Sequence, residues 1–588
     1  MTVSGSTTTS YYFGRSVNNA GDINQDGYDD IIIGSFKENT NQGKVYVIYG
    51  GSTYSDLNLS TTTLDPATTG FAITGNAQYD CFGYSVNTAG DINKDGYDDI
   101  IVGAYNKSSG TGAAYIIYGR ATSLLANIDL ENEDLDPATT GLVLYGGTTG
   151  DHFGFSVSTT GDVNNDGYDD IIIGACNRNS QQGAVYIYYG EETSTIEASQ
   201  TLSSYTVITG ADQGDNFGYS VSNAGDINRD SYDDIIIGAV QTAGKGIVYV
   251  IYGDSSLLAT DLENDSLNVY TTGFTITGPE QGSMFGFSVS TAGDVNNDGY
   301  DDIICGAYGA NNEIGVTYVI FGKSSGQLAN IDLSTTGSIA STSTGFYIKG
   351  NAQGDHFGVS VGNAGDINND GYDDIIIGTD TKNDYTGAVY VFYGKSTTNT
   401  QSIDLASSTE NLDSESTGFI IRGKTVSDHF GFSASTAGDF NGDNKTDLII
   451  GAFNVDNSVG AAYLLFPSSK LIEVDIKILI LTLEICTDNC ESCSTLSTCE
   501  TCSEGYGLKK SQCQACSSGQ YVSNNVCTSK YFFFIHSSDR FQKIVQKDVV
   551  NVQVLHLVKL ALKDMEWLIL NVLSVLKKPT SQTPNALV

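Results

Sequence analysis

Positive charge is scarce in this sequence. Twenty-eight Lys and Arg stand against 69 Asp and Glu, a net charge of −41. A chain so acidic repels nucleic-acid backbones and anionic membranes and attracts metal cations. Cysteine is nearly missing from the first 467 residues, which hold only Cys81, Cys176 and Cys305. These fall in different copies of the repeat described below, so buried thiols are expected there and not disulfides. No segment before residue 467 has a convincing helical period. In the C-terminal segment the longest uncharged run, Trp567 to Leu576, falls short of the about 20 residues a bilayer-spanning helix needs. Neither a basic stretch nor an apolar run follows Met1, so no secretory leader is read there, and the chain is expected to lack its true start. No Ser-His-Asp arrangement, phosphate loop or His-rich metal site stands out.

Glycine and aromatics are plentiful. Sixty-seven Gly, 35 Tyr and 24 Phe argue for a turn-rich β protein rather than for the disorder that high charge alone would suggest. One phrase recurs seven times. Its first copy runs from Phe13-Gly14 through Asp22-Ile23-Asn24-Gln25-Asp26-Gly27-Tyr28-Asp29-Asp30 to Ile33-Gly34 and Val45-Tyr46-Val47. The leading Asp returns at Asp91, Asp162, Asp226, Asp294, Asp366 and Asp439, at spacings of 64 to 73 residues. Each copy reads as four short strands, in the second copy Phe82 to Val86, Asp99 to Val102 and Ala114 to Tyr118, with a fourth after a Thr-rich loop. Four-stranded units repeated about an axis make a β-propeller, whereas an open solenoid has shorter repeats. The expected fold is all-β, a seven-bladed propeller over residues 1–467. The last copy has three strands, and Met1 to Gly5 lines up with the missing fourth, so the N-terminus is expected to close the ring.

The phrase Asp-x-Asn-x-Asp-Gly-x-x-Asp places oxygen donors at positions one, three, five and nine, with the backbone carbonyl of position seven as a fifth. A hard cation such as Ca²⁺ takes six to eight oxygens in this manner. In the first copy these are Asp22, Asn24, Asp26, Tyr28 and Asp30, and in the second Asp91, Asn93, Asp95, Tyr97 and Asp99. The third holds Asp162, Asn164, Asp166, Tyr168 and Asp170, and the fourth Asp226, Asn228, Asp230, Tyr232 and Asp234. The fifth holds Asp294, Asn296, Asp298, Tyr300 and Asp302, the sixth Asp366, Asn368, Asp370, Tyr372 and Asp374, and the seventh Asp439, Asn441, Asp443, Lys445 and Asp447. Up to seven Ca²⁺ are therefore expected. Position 12 of the first copy is Ile33, inside a strand, so these loops are not EF-hands. The alternative is a metal-free acidic hairpin, which seven clusters of three like charges disfavour. Position eight, as at Asp29, reads as a capping or solvated residue and not a ligand. Position six asks for Gly, which adopts positive φ freely, yet holds Ser231 in the fourth copy and Asn444 in the seventh. The Ser231 site is expected to be the weakest.

Phe82-Gly83, the loop Asp91 to Asp99, and Gly103-Ala104-Tyr105 together resemble the FG-GAP repeat of integrin α propellers. The resemblance covers about residues 1 to 467. It implies a calcium-binding recognition or adhesion module, extracellular or at the cell surface. The family also includes a phospholipase D with a separate catalytic domain and lectin-like propellers. Integrin α subunits carry calcium in only some blades, whereas all seven copies here keep the ligands.

After a linker at 468–485, eight cysteines crowd into 486–527: Cys486, Cys490, Cys493, Cys499, Cys502, Cys513, Cys516 and Cys527. Such density reads as a small disulfide module in an oxidising compartment. The paired Cys499/Cys502 and Cys513/Cys516 also have zinc-site spacing. The run Cys502 to Leu508 resembles a furin-type or growth-factor-receptor cysteine-rich repeat, which implies four disulfides of unknown connectivity. Residues 528–588 carry no cysteine. Val552 to Leu576 reads as an interrupted amphipathic helix or as a misread end of the coding region, and no membrane attachment is evident. His152, His356 and His429 occupy one place in the repeat where other copies have Tyr12, Cys81, Asn216 and Met284, so they read as loop-packing residues. Sequons stand at Asn58, Asn106, Asn264 and Asn444. The leading function is a binding module for a protein or glycan ligand on the face opposite the calcium loops, with no catalytic residues. The alternatives are a propeller-bearing hydrolase or lyase, and a structural surface protein.

Overall fold

In a computed structural model, residues 1–467 are described apart from 6–10, 194–204, 241–243, 258, 337–338, 340–342, 398–401 and 407–411; beyond 467 the backbone of short strands between 490 and 545 is described. The chain divides into two units, Met1–Ile476 and Lys477–Val588. The first is a β-propeller of seven blades. Blade two shows the common plan. Its strands run, from the axis outward, Ser85–Gly90, Asp99–Ala104, Ala113–Ile117 and Gly141–Tyr145, each antiparallel to the next. The second strands are apolar runs such as Asp99-Ile-Ile-Val-Gly-Ala104, buried at every position, as a strand covered on both faces must be. The innermost strands pack blade against blade in a closed circle.

Blade two's inner strand begins at Ser85, three residues after the Phe82 start read from the sequence. Phe82 instead bridges to Gly43 of blade one, and Gly83 turns the chain with φ 80°. This places the Phe between blades. Phe82 is fully buried and meets Tyr115 edge to face at 5.2 Å. Equivalent pairs recur in every blade, from Phe13–Tyr46 at 5.5 Å to Phe430–Tyr463 at 5.4 Å. The apolar core is accordingly seven slabs, each shared by two neighbours. The Gly of the second strand lets neighbours approach. A Cβ on Gly103 would lie 2.1 Å from the Gly154 carbonyl oxygen of blade three. That same carbonyl accepts a hydrogen bond from Ser85 Oγ at 3.1 Å, and the Ser-to-Gly bond recurs at five more blade junctions. Phe-Gly and the later Gly-Ala are thus two halves of one joint.

The ring is closed by the N-terminus. Thr2–Ser4 is the outer strand of blade seven, with Val3 opposite Ala462. Val3 and Phe13 share one slab with Leu464 and Phe440.

The loops before the outer strands do more than the sequence reading allowed. Among the described residues, five of these loops carry a two-residue strand that lies parallel on the outer edge of the preceding blade. Ile128–Asp129 pairs with Ile73 and Thr74 of blade one, and Leu57–Asn58 with Val3 and Ser4. Thr260–Asp261, Ile331–Asp332 and Ile403–Asp404 do the same further round. These straps occupy hydrogen-bonding edges that would otherwise be open to other chains.

In the second unit, described by itself, three antiparallel hairpins are present. In the first of them Cys490 lies opposite Cys502 and Cys493 opposite Cys499. The expected disulfide or zinc chemistry of the eight cysteines and the helix at 552–576 lie outside the described side chains and residues.

Candidate functional site

Each acidic loop joins the innermost strand of a blade to its second strand. All seven fold alike because the position-one Asp organises the turn. Asp22 Oδ1 accepts from the Asp26 amide at 3.0 Å and Oδ2 from the Gly27 amide at 2.9 Å. In blade four Asp226 holds Asp230 and Ser231 at 2.9 Å each, and in blade seven Asp439 holds Asp443 and Asn444 at 2.9 and 2.7 Å. The position-five Asp then accepts from the position-seven amide, Asp26 from Tyr28 at 3.1 Å for example. Position six has positive φ throughout: 88° at Gly27, 60° at Asn444 and 75° at Ser231. Position four is left-handed as well, at Gln25, Lys94 and Arg229 among others. Sequence reasoning missed this, although Asn or Gly at that position in the other four copies was a signal.

The position-nine Asp lies at the floor of each loop, wholly buried in all seven. Asp99 accepts from the Gly119 amide at 2.8 Å and the Ile92 amide at 3.2 Å. Burial first, then the charges of the position-five and position-one carboxylates, pushes these groups far up. Asp170 and Asp374 rise to about 8 and Asp447 to about 7. Burial also raises Asp26, Asp95, Asp230 and Asp298 at position five. Position three is 5 % exposed at Asn24, Asn93, Asn228 and Asn296, and the Oδ1 of each has no hydrogen-bond partner. Among the described residues no group of three or more His, Cys, Asp or Glu side chains is drawn together to hold a metal by itself. The loops combine carboxylates with amide oxygen.

Position eight has a separate task. Asp98 Oδ2 accepts from the Asp22 amide of the preceding blade at 2.8 Å. Equivalent clasps join Asp169 to Asp91, Asp233 to Asp162, Asp301 to Asp226, Asp373 to Asp294, and Asp29 to Asp439 across the ring closure. The Gly before each position-one Asp makes room, since a Cβ on Gly21 would lie 2.3 Å from Asp98 Oδ2. In blade seven Thr446 replaces the carboxylate, so the sixth loop lacks this clasp. The capping role read from the sequence is correct in kind, but it acts between blades.

The opposite face is built from the loops that enter the innermost strands and those joining second to third strands. The residue before each Phe, variable in identity, is constant in conformation: Tyr12, Cys81, His152, Asn216, Met284, His356 and His429 all have φ between 53° and 59°. His152 packs edge on to Tyr105 at 5.2 Å, and burial lowers its pKa. His356 and His429 do more than pack. Their Nδ1 atoms lie 3.5 and 2.9 Å from the two carboxylate oxygens of buried Asp380. Burial alone would raise Asp380, but the hydrogen bonds and charge of the two histidines outweigh it and its pKa falls. Asp380 went unread because its counterparts are Phe36, Tyr105, Cys176, Val240, Tyr308 and Phe453. Cys81, Cys176 and Cys305 are buried free thiols, and burial pushes Cys176 up to about 12. Asn106 Nδ2 donates to the Tyr79 carbonyl at 2.7 Å.

The unit that recurs is now defined: a wedged Phe-Gly, an acidic turn, and a Gly-Ala joint. It matches the FG-GAP repeat at residues 13–48, 82–117, 153–188, 217–251, 285–320, 357–392 and 430–465. The chain carries seven FG-GAP repeats. Over 294 residues, half of this chain, it is 29 % identical to integrin alpha-4 of Xenopus laevis, covering 24 % of that protein. It is 33 % identical over 178 residues to integrin alpha-IIb of Mus musculus, which is 29 % of this chain and 16 % of the relative. It is also 33 % identical over 214 residues to the phosphatidylinositol-glycan-specific phospholipase D of Bos taurus, 34 % of this chain and 24 % of that protein. The FG-GAP chain thus spans about a quarter or less of the length of these relatives.

Proposed function

We propose that this chain is an extracellular or cell-surface recognition module. Its propeller would bind up to seven Ca²⁺ in the acidic loops and a protein or glycan ligand on the opposite face. The observation that carries the calcium reading is the set of buried, unpartnered Asn oxygens, each in a turn with three carboxylates. A buried polar atom without a partner is costly, and a hard cation among oxygen donors removes that cost. The donors would be the side chains at positions one, three, five and nine and the carbonyls of Tyr28, Tyr97, Tyr168, Tyr232, Tyr300, Tyr372 and Lys445. The carboxylate hydrogen bonds already described leave lone pairs free, because each oxygen accepts twice. Bound calcium would supply charge neutralisation to the loops.

The recognition reading rests on kinship. Proteins named as integrin alpha subunits and as a phospholipase D each share part of this segment, which supports a portable module. No helix among the described residues is long and apolar enough to cross a membrane.

Calorimetric titration of the chelator-treated chain with calcium tests the metal reading, with its melting temperature followed in parallel. Close to seven ions and a large rise in melting temperature are expected; no uptake and no shift would remove it. The phospholipase relative gives the enzymatic alternative its footing, and release of product from a glycosylphosphatidylinositol substrate by the purified chain would favour that alternative.

A further inference from the structure

At the face opposite the acidic loops, the residue after each Phe-Gly lies at the entry to the innermost strand. Successive blades contribute Tyr84, Phe155, Tyr219 and Phe287, whose rings meet at 5.0, 5.0 and 5.2 Å. Blade six contributes Val359 and blade seven Phe432. Blade one contributes Arg15. Its guanidinium carbon sits 4.2 Å from the Tyr84 ring centre and 5.0 Å from that of Phe432, and Nη2 donates to Tyr84 Oη at 3.0 Å. Lys37 stands close by. Its Nζ is 3.8 Å from the centre of the Tyr12 ring, and Arg15 and Lys37 each lie 5.6 Å from the centre of Phe36.

Three carboxylates of this face already have a basic side chain beside them. Asp80 on this face pairs with Lys107 at 3.4 Å, Asp355 with Lys382 at 2.9 Å, and Asp380 with the two histidines. Arg15 and Lys37, both partly exposed, have no carboxylate partner among the described residues. In a chain of net charge −41, two cations held on aromatic faces and left without an anion are the groups on this face that would attract one. The Tyr84 and Phe432 rings and the bond from Nη2 hold the guanidinium in place, and its remaining N–H groups suit a planar, two-oxygen acceptor. The rings beside the pair, Tyr12, Phe36, Tyr84 and Phe432, bring two hydroxyls, one of them already bonded to Arg15, which suits a peptide anchor flanked by apolar side chains better than a sugar, whose hydroxyls each need a partner.

We propose that Arg15 and Lys37 anchor a carboxylate side chain of a protein partner at the axial mouth opposite the acidic loops. This deepens the recognition reading and rests on it. The test pans a phage-displayed library of random nonapeptides against the full calcium-treated chain, with a sialylated-glycan array as a second arm. Recovered peptides are expected to share an Asp or Glu. The best synthetic peptide should weaken about ten-fold or more when its carboxylate becomes an amide, and equally with Arg15→Gln at unchanged melting temperature. Lys37→Gln should cost about three-fold, and Arg15→Lys an intermediate amount, since the ammonium keeps the charge without the fork. If Arg15→Gln lowers the melting temperature, Lys37→Gln and the amide peptide carry the test. Peptides lacking a carboxylate, or insensitive to these changes, overturn the anchor and leave the recognition reading in place. Arg15-dependent capture of sialylated glycans without peptides overturns the protein occupant. Capture of neither overturns both readings.

Discussion

At residue scale, the position-eight Asp shows how one side chain can hold two blades. Asp98→Ala would leave the half-buried Asp22 amide without an acceptor and should cost about 1 kcal/mol; Asp98→Asn, which keeps a carbonyl oxygen, should cost less. Chemical denaturation of the two variants checks this, and equal losses would contradict a hydrogen-bond role. Ser231 is the complementary case. At φ 75° its side chain is strained by on the order of 1 kcal/mol. Ser231→Gly is expected to raise the melting temperature and tighten calcium at blade four; unchanged or weaker binding by isotope-resolved titration would refute it.

At the scale of the element, the acidic loop is a stability problem in the metal-free chain. Burial pushes the position-nine carboxyls far above their usual 3.8, to about 8 at Asp170 and Asp374 and about 7 at Asp447. The folded state therefore binds more protons than the unfolded one, so stability is fully present below about pH 4 and is lost as pH rises through 7 to 8. Thermal melts of the calcium-free chain should fall between pH 5.5 and 8.5. On the proposed reading calcium would compete with those protons, so its affinity is expected to rise over the same window. A flat calcium-free profile would mean that the floor carboxyls are already ionised.

The element scale also shows what was legible in the sequence. The seven loops, the Phe-Gly wedge and the Gly-Ala joint were readable because each needs a particular residue: a carboxylate to gather amides, a Gly where no Cβ fits. The straps were not. Leu57–Asn58 and Thr260–Asp261 are two residues long, too short for periodicity, and they pair with a blade some 55 residues away. The His356–Asp380–His429 cluster was hidden because its carboxylate stands where other blades put an aromatic or apolar group. Backbone conformation can also persist where identity does not, as at Tyr12 and its six counterparts.

At the scale of the whole molecule, the ring depends on its first residues. Val3 is fully buried between blades seven and one. Val3→Asp would bury a charge and break the outer strand together, and should lower stability by about 3–5 kcal/mol. Calorimetric melting is expected to show the whole propeller destabilised; a loss confined to blade seven, seen as hydrogen exchange only at Asp447–Ala452 and Ala461–Leu465, would mean that closure is not cooperative.

This closure sets the order of events during synthesis. Thr2–Ser4 is translated some 460 residues before its partner Ala461–Leu465. At about 5–20 residues per second, the wait is roughly half a minute to a minute and a half. Throughout it, six blades can stack one on another while Val3 and the wedge face of Phe13 stay uncovered at the growing arc's leading end. The nascent chain is therefore an open crescent with one sticky tip, and shielding that tip falls to whatever meets the chain as it is made.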